Sequence, residues 1–156
     1  MLSITIIVVG SFKESYWRDA EAEYQKRLSP YVRLTIKEVP EEPFKDAADR
    51  VRILAQEEKR VMACIPRDAV VILCDREGKE YSSEAFADLI AREGEGGTSL
   101  CFIIGGPLGT SETLRAAARH RLSWGALTLP HQLARIVLHE QIYRAVTILK
   151  QKPYHY

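Results

Sequence analysis

The sequence predicts an α/β fold, a mostly parallel sheet flanked by helices on both faces. Two observations carry this. Leu2–Val9, Val70–Cys74 and Leu100–Ile104 are short runs that are apolar on both sides of any strand, the pattern of strands covered on two faces. Each run is followed by a stretch with helical apolar spacing, as strands joined by crossover helices require. The 156 residues suit one domain, 1–156, which at this size buries roughly 70% of the unfolded chain's surface and needs no disulfide or metal for stability.

In order, Leu2–Val9 is the first buried strand and Gly10-Ser11 ends it. Tyr16, Trp17, Ala20, Tyr24 and Leu28 place a helix from about Lys13 to Leu28, and Pro30 stops it. Val32, Leu34 and Ile36 alternate with Arg33, Thr35 and Lys37, a strand with one wet face near a sheet edge. Pro40–Pro43 is a loop, and residues 45–64 suit a long helix ending before Pro66. After the strand Val70–Cys74, Asp75–Lys79 reads as a polar turn. Ser82 or Ser83 caps a helix running to about Arg92, with Glu84 in its first turn. Gly94, Gly96 and Gly97 break the chain before the strand Leu100–Ile104. A short helix spans about Glu112–Arg119, and Arg121–Leu129 forms a brief strand and loop. Pro130 suits the first position of a last helix. Its Leu133–Leu149 stretch is apolar around much of its circumference, so it is either the central helix of a monomer or a helix shared between a core and a dimer interface.

Composition narrows the function. The chain is 46% hydrophobic and 28% charged, ordinary for a globular protein. Residues 1–110 carry 15 Lys and Arg against 19 Asp and Glu; residues 111–156 carry 7 against 2. The basic end suits a polyanion or solvated helix faces. Cys64, Cys74 and Cys101 are odd in number, two of them in apolar strands, which favours reduced thiols. The apolar run 2–9 is too short for a membrane span and lacks a leader's flanks, so the cytoplasm is the expected compartment.

Ligands of such sheets bind beyond the carboxyl ends of the strands, here Gly10, Cys74–Lys79 and Gly105–Gly109. Gly105-Gly106-Pro107-Leu108-Gly109 is neither a dinucleotide fingerprint nor a P-loop; its glycines allow a tight turn or a close ligand. Asp75, Glu77 and Glu80 read as solvated turn residues before a base or metal ligands. His131, Arg135 and His139 share a helix face, but no third zinc ligand accompanies the histidines, and no metal is expected. No nucleophile elbow is present. Lys150–Tyr156 combines two cations with three rings, either a frayed tail or groups that meet phosphates and stack on bases.

Together these residues resemble the ribosomal large-subunit pseudouridine methyltransferases of the SPOUT superfamily. The likeness covers nearly the whole chain. Its most specific pieces are Ile103-Ile104-Gly105-Gly106-Pro107-x-Gly109, Leu127-Thr128-Leu129-Pro130-His131 and Arg135, then Glu140-Gln141-x-Tyr143-Arg144-Ala145 and Pro153-Tyr154-His155. Ile6–Gly10, Tyr16-Trp17, Glu23-Tyr24, Glu38-Val39-Pro40 and Gly78-Lys79 complete it. The resemblance implies a C-terminal α/β trefoil knot, a homodimer, and S-adenosylmethionine held by Cys74, Gly105, Trp124, Gly125, Ala126, Leu127, Thr128 and Leu129. Close backbone approach at Gly105 would fit the adenosine. The implied reaction methylates N3 of a pseudouridine in 23S rRNA of assembled ribosomes, without a metal. His131 or His155 would take or relay the proton, histidine ordinarily titrating near neutrality. Arg135 and Arg144 would hold phosphate or a base oxygen, Tyr154 would orient the base, and Lys152 would meet RNA. Members often carry Leu at the position of Cys74 and a basic residue at that of Tyr156, so packing is kept at the first while a phosphate contact is lost or replaced by stacking at the second. Two rivals remain: a non-catalytic ribosome- or RNA-binding dimer, and a small-molecule enzyme with an anionic ligand at the Gly105 turn.

Overall fold

The computed structural model describes residues 1–43 and 45–156. Five parallel strands, β1 (Leu2–Val9), β2 (Val32–Val39), β3 (Val70–Lys79), β4 (Leu100–Ile104) and β5 (His120–Leu122), form one sheet in the order β2-β1-β4-β3-β5. Every strand pair is parallel, so each connection must cross a face of the sheet. The helices are α1 (Ser15–Leu28), α2 (Arg50–Cys64), α3 (Ser83–Glu93), α4 (Glu112–Ala117) and α5 (His131–Leu149).

The two-residue alternation along the strands sorts them. Ile4, Ile6, Val8, Ile72, Leu100 and Phe102 point into a core shared with α1, α3 and α5. Ile7, Val9, Val71, Leu73, Cys101 and Ile103 point to the opposite face, under α2 and α4. All five residues of β4 are buried, which explains why its sequence is apolar without alternation. β2 lies at the edge and keeps an exposed side, as its alternation predicts.

Four local readings differ. Asp75–Lys79 is not a turn: β3 continues to Lys79, because Lys79 pairs with Leu122 across a register shift after Cys74. Pro130 stands one residue before α5 at φ −57°, ψ 145°, because the residue that enters a helix keeps an extended backbone. The last turn expected for the 112–119 helix is lost, since Arg119 N donates instead to Val71 O at 2.9 Å and leads into β5. Ser82, not Ser83, caps α3, accepting from Ala85 N at 3.1 Å. The helix expected over 45–64 begins five residues later: a 3-10 turn, Ala47–Asp49, precedes α2 at Arg50. No helix among the described residues is long and apolar enough to cross a membrane.

Candidate active site

The carboxyl ends of β3, β4 and β5 open into a cavity of about 420 Å³, within the range of small-ligand sites. One wall is the turn 105–110. Gly109 N donates to Gly106 O at 3.0 Å, and Gly109 sits at φ +86°, a backbone state that glycine adopts without a Cβ penalty. The opposite wall is the loop 123–130. Buried Ser123 fastens it to β3: its amide donates to Lys79 O at 2.9 Å and its hydroxyl to Arg76 O at 3.0 Å, while Gly125 N donates to the same hydroxyl oxygen at 3.1 Å.

Cys74, Gly105, Trp124, Gly125, Leu127, Thr128, Leu129 and His131 all line this cavity. Ala126 does not; it is exposed on the outside of the loop. The floor is apolar, with Ile104 and Leu122. Leu127 is 83% exposed at the mouth, an apolar side chain with nothing of its own chain to cover. The Trp124 indole nitrogen is buried without a hydrogen-bond partner, a donor that a ligand oxygen or ring nitrogen could satisfy. Burial, with Asp75 adding to it, pushes the Cys74 thiol up to about 12, so it serves as packing rather than as a nucleophile.

Gly105 corrects one expectation. The space beside it is not left for a ligand. A Cβ there would stand 2.7 Å from Gly109 O and 2.7 Å from Thr110 Cγ2, so the glycine lets the turn fold tightly on itself and thereby shapes the wall.

The face shared by His131, Arg135 and His139 divides along its length. His131 borders the cavity. Arg135 is 4% exposed; its guanidinium donates to Glu21 at 2.6 and 2.8 Å and to Glu38 at 2.9 Å, and lies 4.1 Å above the Phe12 ring. Direct contact with a substrate phosphate would break that pair. In this chain Arg135 fastens α5 to α1 and β2. His139 is fully buried, its Nδ1 2.8 Å from Arg135 O, and burial lowers its pKa, so it is a neutral core residue. Among the described residues no group of three metal-ligating side chains forms.

The tail residues gather elsewhere. At 1.5 Å per residue, Arg144 lies about 20 Å along α5 from His131. Its guanidinium holds Glu140 at 2.7 and 3.0 Å and sits 4.8 Å over the Tyr154 ring. Tyr154 donates to Glu140 Oε1 at 3.2 Å. His155 reaches Arg144 at 3.2 Å and Glu84 at 2.7 Å. Burial first, then Glu140, raises the Tyr154 phenol pKa, keeping it a hydrogen-bond donor. Lys152 is exposed. The chain therefore carries two clusters, a cavity and a tail, at separate points of one helix.

Some site residues escaped the sequence reading. The Asp75 side chain is 5% exposed, not solvated: Arg121 donates to it at 2.7 and 2.8 Å. Arg50, Arg76 and Arg115 border the cavity; as isolated basic residues they carry no local signal. Glu57 packs its carboxylate against Gly106 with one oxygen unpartnered, and burial raises its pKa.

Sheet, cavity and glycine turn define the class: an α/β protein with a cavity of small-ligand size beyond its strand ends. The comparisons specify which. The family model described as predicted SPOUT methyltransferase matches residues 2–155. Proteins named ribosomal RNA large subunit methyltransferase H are similar over 99% of both chains: that of Carboxydothermus hydrogenoformans is 44% identical and that of Listeria monocytogenes serovar 1/2a is 45% identical. The SpoU methyltransferase AviRb of Streptomyces viridochromogenes, solved with AdoMet, has a TM-score of 0.41 at 16% identity, covering 92% of this chain and 57% of its own. The chain belongs to the SPOUT methyltransferase family, and as such is an enzyme whose methyl donor is S-adenosylmethionine.

Proposed function

We propose that the chain methylates N3 of a pseudouridine in 23S rRNA, on assembled ribosomes, as a cytoplasmic homodimer of a single knotted domain spanning 1–156. The names of the relatives support the ribosomal RNA substrate. The observation that carries the rest is the separation of cavity and tail along α5, which a second copy bridges if its tail meets this cavity. The half-exposed apolar side chains of α5 support that pairing: Val137 borders a groove of about 350 Å³ with Tyr81, Trp124 and Leu129. The knot is supported by α5 leaving directly from the loop 123–130, which shares the cavity with the turn 105–110.

The residues present fit the cofactor: an apolar floor, an unpartnered Trp124 donor and two backbone-lined walls. Gly105–Thr110 and Trp124–Leu129 would hold it, with Leu127 closing the mouth. When bound, S-adenosylmethionine supplies a methyl group on a sulfonium leaving group. The chain's own work is alignment and proton removal. His131 at the cavity, or His155 from the partner's tail, accepts the N3 proton of the base. Arg144 and Glu140 hold Tyr154 in one orientation, with its single hydroxyl hydrogen on Glu140, so that its ring stacks on or orients the base.

The test is to incubate protein and labelled donor separately with ribosomes, with subunits and with naked rRNA, then map the modified nucleotide. Label at N3 of a pseudouridine, strongest with ribosomes, is expected. Ribosome association without transfer refutes the reading, as does transfer to another base.

A further inference from the structure

The cavity mouth carries cations that the methyl-transfer machinery leaves unused. Arg50 opens α2 and flanks the turn: its Nη2 is 3.9 Å from the place a Gly109 Cβ would take. Arg76 flanks the opposite wall, its carbonyl accepting from Ser123. Both are exposed, both border the cavity, and among the described residues neither has a carboxylate within ion-pair distance. Arg115 lies deeper between them and is already matched, to Glu112 at 2.6 Å and Asp75 at 3.5 Å. Of the acids at the mouth, Asp75 is held by Arg121 and Arg115, and Glu77 lies 3.8 Å from Arg121. The unmatched charge of the mouth is thus positive and sits on two side chains, one on each wall.

Resting on the RNA reading above, we propose that Arg50 and Arg76 hold the phosphodiester backbone of the strand carrying the target base, one phosphate on each side of the nucleotide that enters the cavity. A planar guanidinium matches a phosphate with two parallel hydrogen bonds. Exposed, unpaired arginines suit a solvated polyanion, whose contacts set register without reading sequence. The other anion within reach is the carboxylate of the cofactor's amino-acid end, and the experiment separates the two.

The Arg50→Ala/Arg76→Ala protein is assayed for methyl transfer to ribosomes at fixed magnesium, from about 50 to 200 mM monovalent salt. Binding of S-adenosylhomocysteine and of 5′-methylthioadenosine, which lacks the carboxylate, is measured by calorimetry. The expected result is a KM raised about fivefold per arginine near 0.1 M salt, with a salt dependence shallower by roughly 0.7 per lost phosphate contact. kcat and S-adenosylhomocysteine affinity stay as in the parent. Arg50→Lys/Arg76→Lys, which keeps both charges, recovers most of the KM. An unmoved KM and salt slope overturns the proposal while the parent's methyl transfer still supports the RNA reading. A loss of S-adenosylhomocysteine affinity with 5′-methylthioadenosine unaffected overturns it in favour of the carboxylate. If the parent protein transfers no methyl to RNA, both readings fall.

Discussion

Gly105→Ala tests the account of the cavity wall most sharply. The added Cβ would stand 2.7 Å from Gly109 O, 3.2 Å from Gly109 C and 2.7 Å from Thr110 Cγ2, where carbon needs roughly 3.5 Å. Neither neighbour yields easily. Gly109 is fixed at φ +86° with its amide on Gly106 O, and Thr110 is 8% exposed. The turn must move by about half an ångström or more, an overpacking cost of about 1–3 kcal/mol. If the displaced turn is the one the cofactor needs, that strain becomes a loss of S-adenosylhomocysteine affinity of about 5- to 150-fold, read by calorimetry. At this chain length the same strain lowers Tm by roughly 2–4 °C per kcal/mol. Gly96→Ala is the control: nothing lies within 4 Å of its Cβ, though φ is +67°. It costs stability through the backbone alone, about 1 kcal/mol, and leaves affinity unchanged. A Gly105→Ala protein that binds and melts like the parent refutes the steric reasoning. One that loses affinity at unchanged Tm shows instead that the ligand needed the space.

Three further outcomes follow from the geometry. Deleting Pro153–Tyr156 spares S-adenosylhomocysteine binding and abolishes turnover, because tail and cavity are separate; mixing this protein with Gly105→Ala subunits restores a fraction of activity only if the tail serves a partner's cavity. Arg135→Ala leaves Glu21 buried without its partner and lowers unfolding free energy by about 3–5 kcal/mol in urea titration; a loss under 1 kcal/mol sinks the anchoring role. The lowered pKa of His139 means that the unfolded chain takes up a proton below about pH 6.5 which the native state refuses. Stability therefore falls as pH drops from about 6.5 toward the folded pKa, by at most about 1.4 kcal/mol per pH unit, and His139→Leu removes that slope whatever its own stability.

Local periodicity reports burial, and where burial alone decides a structure the sequence is readable. The five buried residues of β4 match the apolar run residue for residue, and the alternation of β2 places it at the edge. The glycine turn shows where this kind of reading stops. Gly105 and Gly109 are the same letter four residues apart, yet one is required by its neighbours' atoms and the other by its own φ; only the second is a property of the residue itself. Charge is harder still. Arg135 is matched by Glu21 and Glu38, which stand 114 and 97 residues away, and the extension of β3 past Cys74 exists because Leu122 pairs with Lys79. An exposed cation and a buried one look alike until the fold brings their partners, so Arg135 reads as a substrate ligand and Arg76 reads as nothing. The structure reverses both: it neutralises the first inside the protein and leaves the second, with Arg50, facing the mouth. On the proposal made above, where the chain meets a polyanion is decided by which arginines the fold fails to pair, a quantity that no window of sequence contains.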